Sequence, residues 1–261
     1  MPLADRFDGL LVDLDGVVWI GREPVPGSAE TLRALLAADK RLVFVTNNPG
    51  KPPVAYAERL GALGVEAGEE RIVTAGMVAA RLAAEAVGED GSAFVIGAAP
   101  LKEMTAARGV RLVEGADAWE ADAVVVSGHR GFDYEELLAA KRALERGAAL
   151  LATSRDPTMP YPGGELPGTG AVLAAVETAS GRRAEIAGKP ERHLFEMARE
   201  ALGDAKRVAM VGDRVSSDIA GGKAAGLETI LVLSGTTSRE EAGAAEPAPD
   251  FVLEDLRGLL A

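Results

Sequence analysis

Short apolar runs alternate with stretches of helical spacing along almost the whole chain. Runs such as Leu10-Leu11-Val12, Leu42-Val43-Phe44-Val45 and Val208-Ala209-Met210-Val211 carry no polar interruption. That is the pattern of strands covered on both faces, and its alternation with helices predicts βαβ units around a parallel sheet. The first strand is expected over 9–14 and a helix over 28–38, with Ser28 as its N-cap and Leu32, Leu35 and Leu36 on one face. A second strand over 41–46 ends at Thr46-Asn47-Asn48-Pro49-Gly50. A helix over 54–63, a short strand at 72–74 and a helix over 77–86 follow.

Near Ser92 the pattern begins afresh. Strands at 93–97, 123–127 and 148–153 alternate with helices at 101–107 and 134–146, a complete α/β series of its own. Residues 156–170 hold four prolines and four glycines and read as a structured loop. Beyond it come a helix over 171–180, a strand at 184–187, a helix over 191–202, a strand over 207–211 and a helix after Ser217. A strand over 229–233, an Ala- and Glu-rich solvated helix and turn over 239–249, and a strand with a short closing helix over 251–260 complete the chain.

The bulk numbers narrow the class of protein. At 261 residues the chain is long enough for one large domain, or for one domain inserted in another. No apolar run approaches the ~20 residues of a membrane span. Met1-Pro2-Leu3-Ala4-Asp5-Arg6 has neither the charged head nor the apolar core of a secretory signal. With no cysteine there is no disulfide framework, thiolate metal site or cysteine nucleophile. A cytoplasmic protein without membrane or nucleic-acid partners is expected, because a formal charge of −12 opposes phosphate backbones. The same charge means that an anionic substrate must meet a local positive site. Gln is absent and Asn occurs only at 47 and 48, a depletion that fits a hot environment or a GC-rich genome equally.

Polar residues break the pattern at the carboxyl ends of four predicted strands, where open parallel sheets collect ligands. Asp13 and Asp15 end the first, two carboxylates at i and i+2 on one face. Thr46 and Asn47 end the second. Gly188-Lys189-Pro190 follows 184–187, and Gly212-Asp213 follows 208–211 with Asp218 five residues on. Each alone also fits an ordinary turn, cap or acidic strand end in water. Together they have one chemical use. Carboxylates with one ammonium suit Mg²⁺, a hard cation that binds carboxylates and substrate phosphate. Thr46, Asn47 and Lys189 can bind phosphoryl oxygens, one Asp can attack phosphorus, and Asp15 can protonate the leaving oxygen and later activate water.

On Asp13-Leu14-Asp15-Gly16, Thr46, Lys189 and Gly212-Asp213 with Asp218, the chain resembles the haloacid dehalogenase superfamily phosphatases over essentially its whole length. The resemblance implies Asp13 as nucleophile and Asp15 as general acid and base. It places Mg²⁺ on the Asp13 side chain, the Asp15 backbone carbonyl and Asp213, with Asp218 behind them. The insertion between Thr46 and Lys189, together with Asp13 to Trp19, Thr46-Asn47-Asn48, Pro167-Gly168-Thr169-Gly170 and Gly188-Lys189-Pro190, is similar to the type II-A capped group. That group contains NagD-type, nitrophenyl, phosphoglycolate and pyridoxal phosphate phosphatases. The implied fold is α/β: a Rossmann-like core over 1–78 and 183–261 with an inserted α/β cap over 79–182. Small-molecule phosphate esters are the expected substrates, and dimerisation through the cap is a family trait that no feature of this sequence carries.

Thr153-Ser154-Arg155-Asp156-Pro157 and Ser127-Gly128-His129-Arg130 depart from the family's usual cap sequences, and Ser216 stands where an extra Asp is frequent. No catalytic group is lost, but no relative's substrate transfers. Arg155 is either a substrate contact or a solvated arginine, and His129 either a substrate contact or part of the cap surface. Trp19 is expected to pack in a mobile turn beside the site, with a lid role as the alternative. Neither Gly163-Gly164 nor Gly168-Thr169-Gly170 forms a Gly-x-Gly-x-x-Gly after a strand. Two other functions remain open: a phosphomutase, and a phosphate sensor without catalysis, which would have no need of Asp15.

Overall fold

The computed structural model describes residues 1–161 and 164–261. In chain order the strands are β1 (Gly9–Asp13), β2 (Trp19–Ile20), β3 (Glu23–Pro24), β4 (Arg41–Thr46), β5 (Ile72–Thr74), β6 (Ser92–Ile96), β7 (Arg111–Leu112) and β8 (Ala123–Val126). They continue with β9 (Ala149–Ala152), β10 (Thr158–Tyr161), β11 (Gly164–Pro167), β12 (Glu185–Ile186), β13 (Val208–Gly212), β14 (Glu228–Val232) and β15 (Phe251–Leu253). The main helices are α1 (Ser28–Ala37), α2 (Pro53–Ala62), α3 (Ala75–Val87), α4 (Ala99–Ala106), α5 (Tyr134–Glu145), α6 (Thr169–Ser180) and α7 (Arg192–Leu202).

The chain divides into two compact units, 1–46 with 53–73 and 189–261, and 47–52 with 74–188. These divisions fall at 73/74 and 188/189, not at 78/79 and 182/183, and residues 47–52 join the second unit. The reason is packing. The whole of α3 lies against β8, β9 and α4, and β12 pairs with β9, so neither can be cut from that unit.

The first unit is built on a six-stranded sheet of order β15-β14-β13-β1-β4-β5. β1 pairs in parallel with β4 on one side and β13 on the other, and β14 and β15 continue in parallel. All five residues of β1 and of β13 are buried, which is why their sequences lack alternation. From β1 the chain leaves toward β4, and β13 lies on the opposite flank. The order therefore reverses beside β1, and the crevice at such a reversal, beyond the carboxyl ends, is where ligands sit. Leu10, Val12, Trp19, Phe44, Val211 and Ile230 belong to the core of this unit.

The second unit has its own five-stranded parallel sheet, β12-β9-β8-β6-β7, and its own core around Ile96, Val124, Val126, Leu144 and Leu173. The Thr74 side chain caps α3 by accepting from Met77 N, and Asp133 caps α5 by accepting from Glu136 N.

Several local expectations change. The segment 156–170 is no simple loop: β10 and β11 pair antiparallel within it, and Pro162 and Gly163 lie outside the described residues. Ser28 does not cap α1. Gly27 occupies the cap with φ of 81°, and the Ser28 hydroxyl donates to the Val18 carbonyl at 3.0 Å. The helix expected after Ser217 opens earlier, as a π turn over Val215–Ile219 that continues into an α-helical turn over Ala220–Ala224. No helix among the described residues is long and apolar enough to cross a membrane.

Candidate active site

Asp13 is the last residue of β1, Thr46 the last of β4, and Asp213 follows β13 directly. Lys189 opens the return of the chain to the first unit. Adjacent parallel strands therefore deliver Asp13, Thr46 and Asp213 to one end of one sheet. All four, with Asp218, are buried.

The Lys189 ammonium donates to Asp13 Oδ1 at 2.5 Å and pairs with Asp218 Oδ1 at 2.6 Å. Carboxylate oxygens of Asp13, Asp213 and Asp218 all lie within 4.8 Å of one another. Burial pushes the Asp13 carboxyl well above its ordinary range; Lys189 opposes the shift, and Asp218 and Asp213 add repulsion. Burial likewise raises Asp213, with the Asp218 charge reinforcing it. Burial works against the charge of Lys189, but Asp13 and Asp218 overcome it and hold the ammonium above the usual lysine range.

Fully ionised, three carboxylates against one ammonium would leave two negative charges without a counterion in a buried site. Such an arrangement is unfavourable unless a cation enters. One atom makes the point directly. Asp213 Oδ2 accepts from Thr236 N at 2.6 Å, whereas the buried Asp213 Oδ1 has no hydrogen-bond partner among the described residues. An oxygen-rich cluster with a buried acceptor left over fits a hard divalent cation.

Two glycines make room for the carboxylates. Gly16 has φ of +87°, and a Cβ there would stand 2.4 Å from Asp213 Oδ2. At Gly212 a Cβ would come within 2.3 Å of the Asp218 Cβ. Asp218 Oδ2 accepts from Arg214 N at 3.0 Å, so the π turn after β13 is closed by this carboxylate, whose other oxygen faces Lys189. Asp218 thus sits within the carboxylate cluster.

Sequence reasoning missed the loop Ser234-Gly235-Thr236-Thr237 after β14. Ser234 Oγ donates to the Gly16 carbonyl at 2.7 Å, and Thr237 Oγ1 donates to the Asp213 carbonyl at 2.6 Å. Its signal was available, a run of hydroxyl residues and a glycine at the carboxyl end of a fifth strand. Also missed were Tyr56 and Arg59 of α2. Burial and the nearby Asp15 charge push the Tyr56 phenol up, so it stays protonated.

Asp15 is half-buried and accepts from Trp19 Nε1 at 3.0 Å. Trp19 packs beside the site as expected, fully buried in the core, and its one side-chain polar atom donates to Asp15. Asn47 belongs to the second unit, where its amide donates to Asp156 Oδ2 at 3.0 Å.

The two cap candidates are held by their own unit. Arg155 makes a bidentate pair with Glu177, at 3.0 and 2.7 Å. His129 Nε2 lies 2.8 Å from Glu136 Oε2, and its Nδ1 accepts from Gly131 N.

Comparison with known proteins agrees with this geometry. Residues 10–111 match the haloacid dehalogenase-like hydrolase family and residues 186–259 a HAD-hydrolase-like family. Glycerol-3-phosphate phosphatase of Rattus norvegicus is 38% identical over 99% of this chain and 91% of its own length. A crystal structure of glycerol phosphate phosphatase from Mycobacterium tuberculosis in complex with magnesium is 36% identical, with a TM-score of 0.91 over 100% of this chain and 78% of that one. p-Nitrophenyl phosphatase from Archaeoglobus fulgidus is 34% identical, with a TM-score of 0.89 over 97% and 98% of the two chains. With the buried carboxylates and lysine at the expected strand ends and similarity along the whole chain, the protein belongs to the haloacid dehalogenase-like hydrolases.

Proposed function

We propose that this protein hydrolyses small phosphate monoesters with Mg²⁺, through a covalent aspartyl-phosphate on Asp13. One observation carries the reading: a buried Asp13 whose Oδ1 meets the Lys189 ammonium at 2.5 Å, beside Asp213 and Asp218. A lysine there opposes the effect of burial on Asp13, favouring its anion, and offsets the charge of an incoming phosphate, which would otherwise repel it.

Mg²⁺ fits the Asp13 and Asp213 side chains with the Asp15 backbone carbonyl, and when bound it neutralises phosphoryl charge. The chain's own groups do the rest. Asp13 attacks phosphorus, the bond to the ester oxygen breaks with its electron pair on that oxygen, and Asp15 supplies the proton. A water oxygen then attacks the aspartyl-phosphate, Asp15 takes the proton back, and phosphate leaves with Asp13 restored. Thr46 supplies a hydroxyl to the phosphoryl oxygens.

The relatives' names favour small polyol phosphates, with glycerol 3-phosphate first. Asp15 argues against a sensor, which needs no proton donor, and phosphatase relatives argue against a mutase.

The test is inorganic phosphate release from a panel of phosphomonoesters with Mg²⁺, with EDTA and with Asp13→Asn. Metal-dependent release that the variant loses supports the assignment. Folded, Mg²⁺-binding protein that releases phosphate from no ester refutes it.

A further inference from the structure

Asp15, the proton carrier of the proposed reaction, lies outside the carboxylate and lysine cluster. Its Oδ1 accepts from Trp19 Nε1 at 3.0 Å. The chain folds back to make this contact: Gly16 N donates to the Trp19 carbonyl at 2.7 Å, and Trp19 N to the Leu14 carbonyl at 3.2 Å. The indole is fixed from its face as well. The Arg59 guanidinium lies 3.8 Å from the ring centroid, within cation–π range. Arg59 is anchored in turn by Nη2 donating to the Gly21 carbonyl at 2.7 Å. Burying a tryptophan against an aspartate and roofing it with an arginine is an elaborate way to fill a core.

We propose that Trp19, clamped by Arg59, is a positioning residue that fixes which oxygen of Asp15 exchanges protons. An indole N–H donates and never accepts. The unprotonated oxygen of a carboxyl is the better acceptor, so an indole N–H held on Oδ1 favours the transferable proton on Oδ2. The carboxyl is thereby oriented before substrate binds: Oδ2 gives its proton to the departing ester oxygen, and later takes one from the attacking water. Releasing the indole N–H lets the carboxyl rotate, and misplacement of a proton donor slows only steps that need the proton. This inference rests on the phosphoryl-transfer reading of Asp13 and Asp15.

The experiment uses leaving groups. An alkoxide leaves poorly without a proton, whereas 4-nitrophenolate leaves well without one. kcat/KM reports steps up to departure of the leaving group, so it isolates the donor role of Asp15 from the later water step. In Trp19→Phe, which keeps a ring under Arg59 and removes the N–H, kcat/KM for glycerol 3-phosphate is expected to fall about tenfold relative to that for 4-nitrophenyl phosphate. Asp15→Ala gives the upper limit of that ratio. Arg59→Met, at a partly exposed position, is expected to move the ratio the same way by about threefold, and it decides the matter should Trp19→Phe fail to fold. Equal losses on both esters, or none on either, overturn the positioning role while leaving the phosphatase reading intact. A folded, Mg²⁺-binding wild-type enzyme that releases phosphate from no ester of the panel overturns the two together.

Discussion

Glu177 offers a sharp physical test of how the second unit is held. It is 8% exposed and accepts two bonds from Arg155, one from Arg183 at 2.8 Å and one from Ala184 N at 2.9 Å. The Arg155 guanidinium, with smaller contributions from Ala184 N–H and Arg183, pulls its carboxyl from an ordinary 4.5 down to about 2. At about 1.36 kcal/mol per pH unit this drop corresponds to ~3.4 kcal/mol as an upper bound. The arginine side chains are 45% and 83% exposed, so screening reduces it to about 2 kcal/mol. Because the folded value lies below the unfolded one, the stabilisation is complete above pH 4.5 and is lost as pH falls toward 2. Glu177→Gln should therefore lose about 2 kcal/mol at pH 7 and progressively less below pH 4.5. The assay is urea unfolding followed by Trp119 emission in a Trp19→Phe background, where Trp119, in the second unit, is the sole tryptophan. A wild-type advantage of the same size at pH 3 as at pH 7, or none at pH 7, would refute the reasoning.

Other outcomes follow from the site. Gly16→Ala forces a side chain into a left-handed backbone at a cost of ~1–2 kcal/mol and drives its Cβ onto Asp213 Oδ2. Phosphate release should drop at least about 100-fold, with Mg²⁺ binding weakened in calorimetry. Mg²⁺ at about 100 times its Kd should stabilise the wild-type fold by ~2.7 kcal/mol in thermal unfolding, and Asp213→Asn should abolish most of that gain. Lys189→Met leaves Asp13 and Asp218 buried without their ammonium. Metal-free protein should lose about 3–5 kcal/mol in denaturant titration, and a loss below about 1 kcal/mol would show that the pair is not held as described.

How far the sequence announced these features depended on whether the signal was local. β1, β4 and β13 were legible because burial on both faces removes polar residues altogether, and Asp13 and Asp213 stood out at their ends. The bond that fixes Trp19 was not legible, because Asp15 lies across a turn whose backbone bonds no periodicity reveals. Arg155 looked available because Glu177 is 22 residues away. The hairpin of β10 and β11 hid under prolines and glycines that normally mark irregular chain. The Ser234 to Thr237 loop was marked only by its hydroxyl residues after a strand, since its partners, two backbone carbonyls and one carboxylate, follow no spacing rule.

The peptide link between Thr46 and Asn47 joins the two compact units, so one polar motif is shared between two bodies. Within the second unit, Asn47 bonds Asp156, and a Cβ on Gly76 would come 3.0 Å from Pro49. A graft that moved only 74–188 onto a related scaffold would leave both partners behind. The second unit's own packing therefore takes in residues 47–52, and any exchange of that unit has to carry them along.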